Sequence, residues 1–381
     1  MHIADLTMFY APESGGIKTY LTAKSRWLRR HEGYRHSLII PAHPDFSGHN
    51  AEPARARGAQ VRLRSLPAAA GYRLPYALGE ARRAIETLQP DIVEVGDATH
   101  LAWQATRACR RLSIPVVAFC HSDLPQAAGR VLGPTAQAAA ARYLRSLYSR
   151  FDLLLAPSRH MAARLRELGF SNVQVQPLGV DTDVFQPARA DPGVRARLQL
   201  ASDARLLVYV GRFAPEKNLD VVAAAMQKLG PRCVMAAVGS GPVRVEAPNV
   251  KVLPYISDPE ALAAVIAASD LFVHAGDQET FGLAVLEALA CGVPVVGAAA
   301  GGIAELIDDQ VGALTRPGDA GALADAIVST LQRDRHSLRT AARRRALERH
   351  DWNSVLPQLI GHYRALLRAS VRASPESRAA A

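Results

Sequence analysis

Cysteine is scarce in these 381 residues, and the four present (Cys109, Cys120, Cys233, Cys291) are scattered. Three lie in apolar, strand-like or helical contexts, so they read as buried thiols, not as a disulfide framework or a metal site. No apolar run approaches the roughly 18 residues of a membrane-spanning helix. The opening stretch MHIADLTMFYAPES lacks a basic region followed by an apolar one and a small-residue cleavage site. No signal peptide is therefore expected, and the expected compartment is the cytoplasm. Zinc-finger, helix-turn-helix and RNA-recognition signatures are also missing, which removes nucleic acid from the expected partners.

What is present is ample core material. Hydrophobic residues make up 49% of the chain and charged residues 21%, a globular balance. The length suits two domains of ordinary size. The net charge of +10 comes from clusters of basic residues: Lys18, Lys24, Arg26, Arg29, Arg30 and Arg35 in KTYLTAKSRWLRRHEGYRH, then ARARGAQVRLR, RYLRSLYSR and RTAARRRALERH. Two readings stand for them: solvated helix faces, or attraction to an anionic surface such as the inner face of a membrane.

Short β-branched runs alternate with helical patterns from end to end, which indicates βαβ units and parallel sheets, an α/β fold. The first half offers MHIADLT, HSLIIPA, QVRLRSL, DIVEVGD, PVVAFCH, DLLLAPS and VQVQPLG; the second offers RLLVYVGRF, CVMAAVGS, NVKVLPYI, LFVHAGD and PVVGAAA. Several end in Gly, Asp, Ser or His, placing polar groups at the carboxyl ends of strands, where open α/β sheets bind ligands. A Pro-, Asp- and Ala-rich segment at about 183–203 reads as a linker. The expected domains are 1–186 and 187–353, two Rossmann-like halves facing a cleft. An amphipathic helix at 354–370 is expected to return to the first, and 371–381 reads as a disordered tail.

Four stretches carry candidate chemistry. SGGIKTYLTAK sets Gly15 and Gly16 before a helix, where backbone N–H groups can approach an anion; an ordinary glycine turn explains it equally well. VYVGRFAPEKNLD ends a strand at Gly211, followed by Arg212 and Lys217, two cations suited to a diphosphate. VGSGP repeats the strand-end glycine at Gly239. GDQETFGLAVLEALACGVPVVG places Thr280, Phe281, Gly282 and Leu283 at a helix start, where four backbone N–H groups lack internal partners. Two glutamates flank that start, Glu279 and Glu287. With 15 glutamates in 381 residues, roughly 0.6 such pairs at this spacing arise by chance. Glu86 and Glu94 are indeed a second pair, with no phosphate cradle around them. Context, not spacing, distinguishes the first pair.

GDQETFGLAVLEALACGVPVVG resembles the glutamate–seven–glutamate signature of family 4 retaining glycosyltransferases, which have the GT-B fold. GGIKTYL, GVDTDVF, VGRFAPEKN, GALTRPGD and the final DW…HYRALL helix resemble the family's other motifs, in its order, over essentially the whole chain. The resemblance implies a hexose transferred from a nucleotide diphosphate sugar to an acceptor hydroxyl with retention of configuration. Arg212, Lys217, Gly16 and the Phe281–Gly282–Leu283 turn would hold the diphosphate, Glu287 the ribose and Glu279 the sugar. His121, in FCHSD, matches a histidine that the family sets against the sugar. The leaving diphosphate would help deprotonate the acceptor, with neither glutamate acting as nucleophile and no metal or other cofactor. An Asp-x-Asp before a small-residue turn is absent, and DTD at 181–183 reads as structural. FYAPESGGIKTYL looks most like phosphatidylinositol mannosyltransferases, which implies GDP-mannose as donor and a glycolipid or glycan acceptor, with peripheral membrane association. Glucose, galactose or N-acetylglucosamine as the sugar, nucleotide-sugar epimerisation, and a degenerate nucleotide-binding protein are the alternatives.

Overall fold

The computed structural model describes residues 1–11, 15–43, 59–68, 72–77 and 79–373. The chain divides into two compact units, Met1–Pro177 with Val355–Ala381, and Leu178–Ser354. The division falls nine residues before the boundary expected at 186/187. Of the expected tail, 371–373 continue the last helix, Trp352–Ala373, and 374–381 lie outside the described residues.

Among the described residues the first unit holds a seven-stranded parallel sheet. Its order is Gln60–Leu63, Arg35–Pro41, His2–Leu6, Ile92–Val95, Val116–Phe119, Leu153–Ala156, Val173–Val175. The central strands are buried along their whole length, as parallel strands covered by helices on both faces must be. The second unit repeats the plan with six strands: Val250–Leu253, Cys233–Val238, Arg205–Val210, Leu271–His274, Val295–Ala298, Gly312–Thr315. Ranked along the chain, each sheet begins 3-2-1-4-5-6, the doubly wound order in which the winding reverses between first and fourth strands. Ligands bind such sheets beyond the carboxyl ends of those two strands.

Three features depart from the expectation. Gly312–Thr315 is an added edge strand; a Cβ at Gly312 would lie 1.7 Å from the Val295 carbonyl oxygen, so the strand closes onto its neighbour because residue 312 has no side chain. QVRLRSL splits, and Ser65–Pro67 pairs with Arg73–Pro75 as a small antiparallel ribbon. The expected linker is folded into the second unit: Phe185, Val194 and Leu198 are buried, and Arg189 and Arg195 pair with Glu260 and Asp270. DTD is a turn there, with Asp181 Oδ1 accepting from the Asp183 and Val184 N–H groups.

The basic clusters are not uniform surface. Lys24 is fully buried, whereas Arg26, Arg29 and Arg30 of the same helix are exposed. In RTAARRRALERH, Arg339 donates to the Ser269 and Ala267 carbonyls and Arg343 to those of Phe185, Ala290 and Thr182. These arginines stitch loop and helix ends that would otherwise hold unpaired carbonyls. The four cysteines are buried and free. Burial pushes the thiols of Cys109, Cys120 and Cys291 up to about 12, which leaves them unreactive. Among the described residues no helix is long and apolar enough to cross a membrane.

Candidate active site

At the reversal point of the second sheet, the strand Arg205–Val210 runs out into Gly211 and Arg212, and Leu271–His274 into Ala275 and Gly276. A 3-10 turn, Pro215–Lys217, returns the chain above them, and the Asn218 side-chain amide fastens it to the Ala275 carbonyl at 3.1 Å. Lys217 is thereby aimed across the strand ends, where its ammonium pairs with Glu279. His274 joins from below: its Nδ1 accepts from the Gly276 N–H at 3.2 Å, leaving Nε2–H to donate to Glu279 Oε1 at 3.1 Å. Burial pushes the Glu279 carboxyl up, but Lys217 and His274 outweigh it and hold the group well below the usual carboxylate range.

Glu279 opens the loop into the helix Leu283–Ala290. Gly282 stands at the N-cap, no side chain caps the helix, and no acidic residue sits in its first turn. The leading N–H groups therefore have no partner inside the helix. Phe281 is buried beneath the turn. The loop is clamped by Gly301 and Gly302, with the Gly302 N–H donating to the Glu279 carbonyl at 2.6 Å. A Cβ on Gly302 would meet the Thr280 carbonyl oxygen at 2.3 Å. Gly302→Ala is accordingly expected to destabilise the second unit by about 2 kcal/mol; urea unfolding within 0.5 kcal/mol of wild type, on the order of ordinary surface changes, would show that the loop simply gives way.

Glu287 lies one turn into the same helix. It is half-buried, has no hydrogen-bond or ion-pair partner among the described residues, and burial pushes it up to about 8. A carboxylate left in that state is costly unless a ligand supplies hydroxyl donors.

Other candidates are placed differently. Arg212 is 76% exposed and pairs with Glu216 at 3.1 Å, not with the Lys217 cluster. Gly211 and Gly239 meet each other: a Cβ on Gly239 would lie 1.9 Å from the Gly211 carbonyl oxygen. Their close approach joins two strand ends, a packing reason for both glycines. In the first unit, Gly15 caps the helix Gly16–Arg30, again with no side-chain cap. His121 follows the strand Val116–Phe119 and stacks on Phe119 at 4.3 Å. Burial first, then the Lys24 charge, hold it down to about 3 against Asp5, so its imidazole is neutral at ordinary pH. His274, Gly301 and Gly302 escaped the sequence reading; a histidine closing LFVHAGD, at the end of the fourth strand, was the available signal for the first.

Two doubly wound sheets, with charged and uncapped groups at the reversal point, define the class. The structure matches that of sucrose-phosphate synthase from Thermosynechococcus elongatus with a TM-score of 0.79 at 22% identity, covering 97% of this chain and all of that one. The fold is GT-B. Residues 14–184 match the family described as Glycosyltransferase Family 4, and residues 192–348 that described as Glycosyl transferases group 1. A GDP-mannose-dependent alpha-(1-6)-phosphatidylinositol dimannoside mannosyltransferase of Mycobacterium tuberculosis is 30% identical over 91% of this chain and 92% of that protein. A GDP-mannose-dependent alpha-mannosyltransferase of Mycolicibacterium smegmatis is 31% identical over 98% and 100%. The chain belongs to the family 4, group 1 glycosyltransferases, and it is a glycosyltransferase.

Proposed function

We propose that the protein transfers mannose from GDP-mannose to a hydroxyl of a glycolipid or glycan, with retention of anomeric configuration and without a metal. The observation that carries this is Glu287, an unpartnered half-buried carboxylate one turn from an uncapped helix N-terminus. That pairing suits a ribose diol next to a diphosphate. The choice of a mannosyl donor is supported by the two relatives described as GDP-mannose-dependent.

In this reading the bond from the sugar anomeric carbon to the diphosphate oxygen breaks while the acceptor oxygen bonds to the same face. The acceptor proton passes to the departing diphosphate. Lys217, with Arg212 turned from Glu216, and the N–H groups of Phe281 to Leu283 stabilise the charge that develops on the leaving group. Gly16 contributes backbone to the diphosphate. Glu279 holds the sugar hydroxyls while keeping Lys217 in place, and neutral His121 hydrogen-bonds the sugar without adding a competing cation. Glu279 is already committed to two partners, which suits positioning better than nucleophilic attack. In this reading the charge on the leaving group is met by Lys217, Arg212 and backbone N–H groups, with no role assigned to an Asp-x-Asp pair.

The decisive experiment offers labelled GDP-mannose, UDP-glucose, UDP-galactose and UDP-N-acetylglucosamine and follows turnover, with NMR of the product anomer. Slow hydrolysis of GDP-mannose alone and an α-linked product are expected. Preference for a UDP-sugar would replace the donor, an altered sugar in the recovered nucleotide would indicate epimerisation, and binding of none would end the proposal. The exposed Arg26, Arg29 and Arg30 suit an acceptor in an anionic leaflet; co-sedimentation with phosphatidylinositol-containing vesicles should fall as salt rises.

A further inference from the structure

The first unit contains a charged cluster that the transfer described above leaves unused. Asp5 and Glu94 are register partners on adjacent strands, His2–Leu6 and Ile92–Val95, so two carboxyls stand side by side inside a sheet, each 2% exposed. Lys24 reaches down from its helix to lie 2.7 Å from Asp5 Oδ1 and 3.2 Å from Glu94 Oε1. Its ammonium also donates to the Tyr363 hydroxyl at 2.7 Å. Tyr363 in turn donates to Glu94 Oε2, and Tyr20 to Glu94 Oε1 at 2.9 Å. On the far side His36 Nε2 meets Asp5 Oδ2 at 2.5 Å. Two strands and a second helix thus converge on one ammonium, and a third strand joins through Asp5. Replacing a buried ion pair by aliphatic residues of equal volume is often neutral or stabilising, so stability is a weak account of the arrangement.

Its location gives the reason. Asp5 and Glu94 sit two residues before Thr7 and Gly96, at the reversal point of the first sheet. A Cβ at Gly96 would lie 3.4 Å from Thr7 Cβ and 3.6 Å from His121 Cδ2. Tyr20 links this level to the cluster below. Its ring centroid is 5.5 Å from the His121 imidazole and 5.0 Å from Phe119, while its hydroxyl is tied to Glu94.

We propose that Tyr20 is a positioning residue: anchored on Glu94, and through it on Lys24 and Tyr363, it fixes the ring surface against which the His121 imidazole is held. The inference rests on the reading of His121 as a residue of the transfer site. Lys24 adds a second effect through charge, since after burial it is the main influence keeping that imidazole neutral.

A double-mutant cycle between Tyr20→Phe and His121→Ala tests this. Tyr20→Phe keeps the ring and leaves Glu94 with Lys24 and Tyr363, so the melting temperature serves as the folding control. Expected is a loss in kcat of about tenfold with donor KM unchanged, and no further loss when His121 is already Ala. In the same variant the His121 ring signals, followed by NMR, should move. Equal loss in both backgrounds, or no loss in either, overturns the proposal. If His121→Ala itself keeps full turnover, the reading of the site fails instead; unmoved His121 signals in Tyr20→Phe would then overturn the positioning claim independently. Should Tyr20→Phe not fold, Glu94→Gln cuts the same link from its other end and carries the cycle.

Discussion

Lys217→Ala is expected to lower turnover by about 10³-fold or more, the scale set by losing one preorganised charge at a developing anion. The same change should destabilise the second unit by about 2 kcal/mol at pH 7, because Glu279 keeps its charge in a largely enclosed position with His274 as its remaining partner. The pH dependence has a definite sign. Glu279 has a folded pKa below its unfolded value, so its pairing adds stability above the ordinary carboxylate range, and that stability is lost as pH falls through the folded value. The gap between wild type and Lys217→Ala should therefore narrow below about pH 4. Adding Glu279→Gln should restore stability without restoring turnover. Urea unfolding across pH 3 to 8 and donor turnover read the two effects separately; a gap that widens in acid would contradict the ion-pair account.

Glu287→Gln should move stability the other way. Its folded pKa is raised to about 8 by burial, so the carboxyl costs nothing at low pH and its penalty grows as pH rises through the folded value. The amide has no such penalty. The variant should match wild type near pH 4 and exceed it by about 2 kcal/mol near pH 9, which is less than the full shift would give because the side chain is only half-buried. In a unit of this size that is about 5 °C in melting temperature. Donor affinity should fall by about 10²-fold, as when a site loses its match to a hydroxyl pair. Thermal melts at two pH values, with and without GDP, decide both points. Equal melting at pH 4 and pH 9 would show that Glu287 is solvated and not held for a ligand. A gain in stability with loss of binding is the pattern expected where a fold keeps a strained group for its substrate.

The strands were legible because burial on both faces leaves an unbroken aliphatic run, and a Gly, Asp or His marks its end. Gly312–Thr315 was not, since GALT has little strand character and its pairing is decided by contact with the Val295 carbonyl. The sequence also put Lys217, Glu279, the 280–283 turn and Glu287 within one unit, where Lys217 pairs with Glu279 and Glu287 stands one turn into the helix that follows. It could not show that Arg212 turns to Glu216, since that depends on side-chain orientation at an exposed turn. Lys24 was counted with the surface charge, although Tyr20, Lys24 and Leu28 share one helical face and all are buried. Charge outweighed periodicity in that reading. Glu94 was set aside for want of a phosphate cradle; its partners stand 70 and 269 positions away in sequence, beyond the reach of any local window.

The last of those distances bears on how the protein is made. Tyr363 enters the first unit from the far end of the chain, so a ribosome completes the second unit before it delivers the hydroxyl that Lys24 and Glu94 require. Until then the Lys24 ammonium and the Glu94 carboxylate each lack one native hydrogen-bond partner. The native surroundings of Lys24 and Glu94 are thus completed only once Tyr363 is in place, from a segment that follows the whole second unit in sequence.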